Sequence, residues 1–182
     1  MVPLYKTFVR PKLEFSVAAW SPWTEADIRT MEKVQERLVR LLSDVRGEGY
    51  EEKLKDAGLT TLRERRRRGD AIETYKTLKQ INNVDSTKWF RVIGEETRPL
   101  RSNTDVEGSD EKRKENVLEI ERSRLEIRKN FFVVRAARTW NLLPEAVKSA
   151  KTVNGFKNAY DAWRQRQPED NNLHNAAEDE EQ

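Results

Sequence analysis

The densest chemistry-bearing run in the chain is Arg63-Glu64-Arg65-Arg66-Arg67-Arg68. Guanidinium groups are planar forks that match phosphate oxygens. Four consecutive helical residues sweep about 300°, so these arginines cannot all serve one surface. With Leu62 and Ile72 taken as the buried stripe, Arg65 and Gly69 project between them. Arg65 is then a structural arginine at a helix–helix seam, paired with a carboxylate elsewhere, and Gly69 lets a neighbouring helix approach closely. Arg66 falls near the stripe's edge. Arg63, Arg67 and Arg68 point outward, free to reach phosphates. Three readings stay open for the cluster: a solvated helix face, contact with a phosphate backbone, and a nuclear-import signal. Arg68-Gly69-Asp70 also spells a cell-adhesion tripeptide, which inside a helix is coincidence.

A second basic group, Arg122, Arg124, Arg128, Lys129, Arg135 and Arg138, interleaves with Phe131 and Phe132. Aromatic rings among cations can stack bases. The competing reading makes the two phenylalanines the start of a buried helix face. Lys6, Arg10 and Lys12 add charge near the amino end. The candidate nucleic-acid contacts are therefore Lys6, Arg10, Arg63, Arg67, Arg68, Arg128, Lys129 and Arg135. Against them stands the chemistry that is missing. Two-metal phosphoryl transfer needs paired aspartates, and the chain contains no Asp-Asp. It has no phosphate-binding Walker loop and no nucleophile elbow. Cysteines number zero, and the one histidine, His174, sits in a polar tail. No metal, cofactor or catalytic activity of its own is expected.

The elements that must carry these residues are mostly helices. Apolar residues make up 36% and charged residues 37% of 182, which makes the core thin for the length. Pro11 interrupts a first helix over 3–20, and Pro22 ends it. Thr24 with Asp27, and Thr61 with Glu64, read as capping boxes opening two longer helices. The first carries Ile28, Met31, Leu38, Leu41 and Leu42 on one stripe; the second runs to about Ile81. Tyr50 to Ala57 is a short helix stopped by Gly58. Residues 94–123 form a charged, mobile excursion, with short strands near Pro99-Leu100 and Val117–Ile120. Leu125-Glu126-Ile127 alternates and admits a small β-hairpin. Helix resumes from about Lys129 to Asn141, and Phe156, Tyr160 and Trp163 form an aromatic core stripe on the last one. The expected class is mainly α: a helical bundle over 1–93, a C-terminal helical region over 124–167, and a disordered acidic tail over 168–182.

Net charge is +3, yet the tail holds six acids (Glu169, Asp170, Glu178, Asp179, Glu180, Glu181) and no Lys or Arg. The rest of the chain carries 35 basic residues against 26 acidic ones. That imbalance suits a polyanionic partner, with the tail either a solvating end or a competitor for the same surface. No apolar run approaches the roughly 18 residues a membrane span needs. The amino end lacks a signal-peptide pattern, so nucleus or cytoplasm is expected and secretion is not.

A set of short motifs recurs in order: Leu4-Tyr5-Lys6, Val9-Arg10-Pro11, Leu13-Glu14, Trp20-Ser21-Pro22, Glu32-Lys33-Val34-Gln35, Tyr50-Glu51-Glu52, Gly58-Leu59-Thr60-Thr61-Leu62, Arg65-Arg66, Arg68-Gly69-Asp70, Arg128-Lys129-Asn130-Phe131-Phe132, Arg135, Trp140-Asn141-Leu142-Leu143-Pro144 and Val153 to Lys157. In this order and spacing the chain resembles the region after the polymerase palm of non-LTR (LINE-type) retrotransposon reverse transcriptases of the jockey/chicken-repeat class. Phe15 stands where that family usually shows tyrosine, and 104–120 is more charged than the family pattern. The resemblance implies a thumb with its C-terminal extension, detached from the palm. It implies sequence-independent binding to an RNA–DNA hybrid or duplex, a palm as protein partner, and structural roles for Trp20 and Trp140. The alternative is a helical protein-interaction module, or a transposon remnant, without nucleic-acid affinity.

Overall fold

The structure, a computed structural model, describes residues 1–42, 46–93 and 116–167. The segment 94–115, with the strand expected near Pro99-Leu100, and the acidic tail with His174 lie outside the described residues. The protein is mainly helical. It divides into two compact units, Met1–Leu142 and Leu143–Gln182. The division thus falls after Leu142, and Phe132–Asn141 belongs to the first unit, where the sequence reading began a separate C-terminal region at 124.

The first unit opens with α1 (Val2–Leu4), a π-helical turn (Tyr5–Val9) and α2 (Arg10–Glu14). The wide turn lies just before Pro11, whose missing N–H and bulky ring a regular helix accommodates poorly. Phe15 is extended and Ser16 left-handed (φ 51°), so the chain turns before α3 (Val17–Trp20). Thr24 caps α4 (Glu25–Arg40), accepting from Asp27 N at 3.2 Å. Next come α5 (Tyr50–Asp56) and α6 (Leu62–Leu78), the latter capped by Thr61 through Glu64 N at 3.1 Å. α7 (Glu126–Lys129) and α8 (Phe132–Asn141) complete the unit. One face of the amino-terminal helix packs Tyr5, Val2 and Leu13 against Val39, Leu54 and Leu59.

Several stripes differ from the pattern read in sequence. On α4 the buried positions are Ile28, Gln35 and Val39, while Leu41 is exposed. On α6 the buried face runs through Leu62, Arg66, Asp70, Thr74 and Thr77 at spacings of four and three, flanked by the buried Ala71 and Tyr75, and Ile72 is only partly buried. A mostly polar helix has a buried face because Leu62, Ala71 and Tyr75 supply apolar contact and Asp70 and Thr74 have polar partners. Gly69 is a correction: it is exposed, and a Cβ added there meets nothing within 4 Å. It therefore admits no close helix, and its role as a seam residue falls.

No strand forms among the described residues; one antiparallel bridge joins Val92 and Leu118. The other edge of Leu118 is occupied by a side chain. Asn141 Oδ1 accepts from Leu118 N at 2.9 Å and Nδ2 donates to Leu118 O at 2.8 Å, reproducing a backbone pair. With its N–H and C=O both taken by Asn141, Leu118 has no backbone group left for a further strand. Leu125-Glu126-Ile127 enters the helical turn of α7, so the hairpin read there is also corrected.

The second unit holds α9 (Glu145–Lys148) and α10 (Val153–Arg166), the latter capped by Thr152 through Gly155 N at 3.0 Å. Phe156 and Tyr160 are buried, with ring centroids 6.2 Å apart, and Trp163 continues the stack at 5.7 Å.

Because Gly69 carries helix-propensity cost with no packing to justify it, Gly69→Ala should stabilise the fold by about 1 kcal/mol. A urea melt comparing the two proteins checks this, and an unchanged or lower midpoint refutes the open-space reading.

Candidate nucleic-acid interface

The polar groups that hold the helices together decide which cations remain for a ligand. Gln35, fully buried on α4, is the first hub. Its Oε1 accepts from Tyr5 OH at 2.8 Å, and its Nε2 donates to Thr60 O at 3.0 Å and to the Tyr50 hydroxyl at 3.2 Å. Glu32, one turn earlier, accepts from Tyr50 OH at 2.7 Å and from Leu62 N with both oxygens, at 3.0 and 3.1 Å. A carboxylate thus sits at the amino end of α6, where orphan N–H groups and the helix dipole favour it. Burial, followed by the charge of Glu32, pushes the Tyr5 phenol up to about 12. Tyr50 is raised as well, by burial and its bond to Glu32.

The second hub is Arg135 on α8. Its Nε donates to Asp70 Oδ2 at 2.9 Å and its Nη2 to Asp70 Oδ1 at 3.2 Å, a bidentate fork onto α6. The same guanidinium donates to Asn130 O, Val17 O and Ala18 O, and lies 5.6 Å from the Phe132 ring centroid. Asp70 is buried, and that burial raises its pKa against the lowering pull of Arg135. Arg135 was a sequence candidate for phosphate contact; the structure corrects this, because its donors are committed to tying α3, α6 and α8 together.

The other candidates separate by how their partners are exposed. Lys6 Nζ donates to Gly58 O at 3.1 Å. Arg10 lies 3.6 Å from Glu14, and Arg65 forks onto the same carboxylate through Nε and through Nη2 at 2.8 Å. Arg63 pairs with Glu25 at 2.5 Å, where the carboxylate is more than half exposed. Arg67 meets Glu64 at 3.5 Å. Arg68 is half-buried and also engaged within the chain. Arg128 pairs with Glu121 at 2.6 Å, its guanidinium 5.2 Å from the Phe131 ring centroid. Lys129 pairs with Glu126 at 2.9 Å. Trp20 Nε1 donates to Phe15 O at 2.6 Å, bracing the turn into α3, and Trp140, buried, donates to Asn116 O at 3.0 Å.

Sequence reasoning missed Gln35, Glu32 and Asp70 as the polar centre of the fold. It also placed Arg66 at a stripe edge, whereas Arg66 is buried and its two Nη atoms have no hydrogen-bond partner. Desolvation lowers its pKa, opposed chiefly by the charge of Glu32. Among the described residues no three His, Cys, Asp or Glu side chains converge as a metal site requires. Nor is any helix there long and apolar enough to cross a membrane. No protein-family model, no curated protein and no solved structure matches this chain.

Two outcomes follow from the contrast between buried and exposed cations. Arg135→Gln should cost about 3–5 kcal/mol by leaving Asp70 charged and buried, while Arg128→Gln should cost under about 1 kcal/mol; chemical denaturation of both variants measures the difference. The raised Tyr5 pKa makes the folded state hold its proton longer than the unfolded chain. The resulting stability is intact below pH 10.0, the ordinary value, and is lost as pH rises towards about 12. Stability should fall by about 1 kcal/mol per pH unit across that window from this group, and the slope should be shallower in Tyr5→Phe.

Proposed function

We propose that this chain is a non-catalytic, thumb-like helical module of the LINE-type reverse-transcriptase kind, which holds template–primer nucleic acid through the phosphate backbone without reading sequence. The observation that supports this is the division among its cations. Arg135 is locked into the scaffold, whereas Arg63, Arg128 and Lys129 pair with carboxylates that are more than half exposed. Exposed ion pairs are worth roughly 0–1 kcal/mol, so a phosphate can displace the acid at little cost. Arg63 and Arg67 stand one turn apart on α6, and a duplex phosphate can be met by either fork.

A second reading, a protein-interaction module, is favoured by the apolar surface near the amino end. Leu4, Phe8 and Phe15 are 63%, 65% and 77% exposed on elements whose other side packs into the core. In the thumb reading this face is what a palm would cover.

Fluorescence anisotropy with a labelled RNA–DNA hybrid across a salt series tests the proposal. Binding should weaken steeply with salt, and the doubly substituted Arg63→Ala/Arg67→Ala protein should show a log–log slope shallower by about 1.5–2. Absence of binding at low salt removes the nucleic-acid reading and leaves the interaction module.

A further inference from the structure

Arg10 on α2 and Arg65 on α6 share a single carboxylate, Glu14. Arg65 uses both Glu14 oxygens through Nε and Nη2. Arg10 stands 3.6 Å from Oε1, beyond hydrogen-bond range, and its guanidinium makes no hydrogen bond among the described residues. The three side chains are only 20–25% exposed, so water screens them incompletely. The cluster therefore carries one uncompensated positive charge and an unused fork. Its charges act on one another. Burial, followed by the charge of Arg65, lowers the Arg10 pKa, and the Tyr5 phenol feels Arg10, Glu14 and Arg65 together.

We infer that Arg10 and Arg65 form an anion subsite for one phosphate group, in which Glu14 occupies the position as a built-in competitor. Two guanidiniums from different elements converge on one acceptor, the arrangement a phosphate with several oxygens satisfies better than a carboxylate with two. The subsite is separate from the surface of the preceding section. Arg65 lies about 160–200° around α6 from Arg63 and Arg67, so one duplex cannot rest on both. The phosphate comes either from a strand terminus or from a strand's backbone.

The test follows the arginine Nε–Hε resonances of the full ¹⁵N-labelled chain during titration with inorganic phosphate. Arg10 and Arg65 should shift together, and Glu14→Gln, which keeps the shape and removes the charge, should tighten phosphate binding roughly fivefold or more. A purely structural triad predicts the opposite sign. Unchanged or weaker binding in folded Glu14→Gln overturns the inference, as does a phosphate response confined to Arg63 and Arg67. If Glu14→Gln fails to fold, Arg10→Gln decides: loss of the Arg65 response supports the subsite, and an undiminished response overturns it. An oligonucleotide with a 5′-phosphate, set beside the same strand without one, separates a terminal source from a backbone source. Arg63→Ala/Arg67→Ala should retain the phosphate response, so the subsite and the hybrid-binding surface can fail independently.

Discussion

The first unit depends on a neutral amide in its interior. Gln35 is the one side chain of α4 that reaches the amino-terminal helix, α5 and the loop before α6 at once, through Tyr5, Tyr50 and Thr60. A buried amide offers one acceptor oxygen and two donor hydrogens, and each has a partner here. Replacing it with leucine of similar size would strand the Tyr5 hydroxyl and the Thr60 carbonyl, a cost of about 1–3 kcal/mol for each unsatisfied group. An apolar core tolerates sliding; this one does not, because each donor must find its own acceptor. The thin hydrophobic content of the chain is thereby compensated by directional bonds.

The same logic explains why a helix as polar as α6 can be interior. Its buried side chains include Arg66, Asp70, Thr74 and Thr77. Asp70 is answered by Arg135, and Thr74 donates to Asp70 O at 2.8 Å. Glu32 closes its amino end by accepting from Leu62 N. Arg66 is the exception, a buried cation with two unpartnered nitrogens beside the charge of Glu32. Each buried ion on this helix is costly alone and tolerable only as part of the set. Geometry, more than net stability, is what the set supplies: it fixes how α3, α4 and α8 meet α6.

What was legible in the sequence was local. The Thr24 and Thr61 caps, the stops near Pro22 and Gly58, and the break around Pro11 follow from steric and hydrogen-bond rules acting within a few residues. Partner choice over longer range was not. An arginine that stitches three elements and an arginine open to phosphate have the same side chain, and periodicity on a polar helix ranks them wrongly. A stripe through Ile72 follows from counting apolar residues, whereas the buried face mixes Leu62, Ala71 and Tyr75 with Arg66, Asp70, Thr74 and Thr77, which that count leaves out. Arg65 was legible as a seam arginine from its angle between Leu62 and Ile72. Its carboxylate, 51 residues away, was not.

The motifs on which the proposed thumb reading rests include Tyr5, Lys6, Glu14, Glu32, Gln35, Tyr50, Arg65, Asp70, Arg135, Trp140 and Asn141, and each of these makes a bond to a distant part of the first unit. What such motifs specify physically is a scaffold: which helix meets which, and through which polar atom. Binding to nucleic acid needs something different, cations whose intramolecular partners are weak enough to be exchanged. Arg63, Arg128 and Lys129 meet that condition and Arg135 does not, although all four read alike as basic residues. A scaffold shared with a polymerase thumb would therefore carry its shape before its affinity. The affinity would rest on the exposed pairs and on the surplus charge where Arg10 and Arg65 divide one carboxylate.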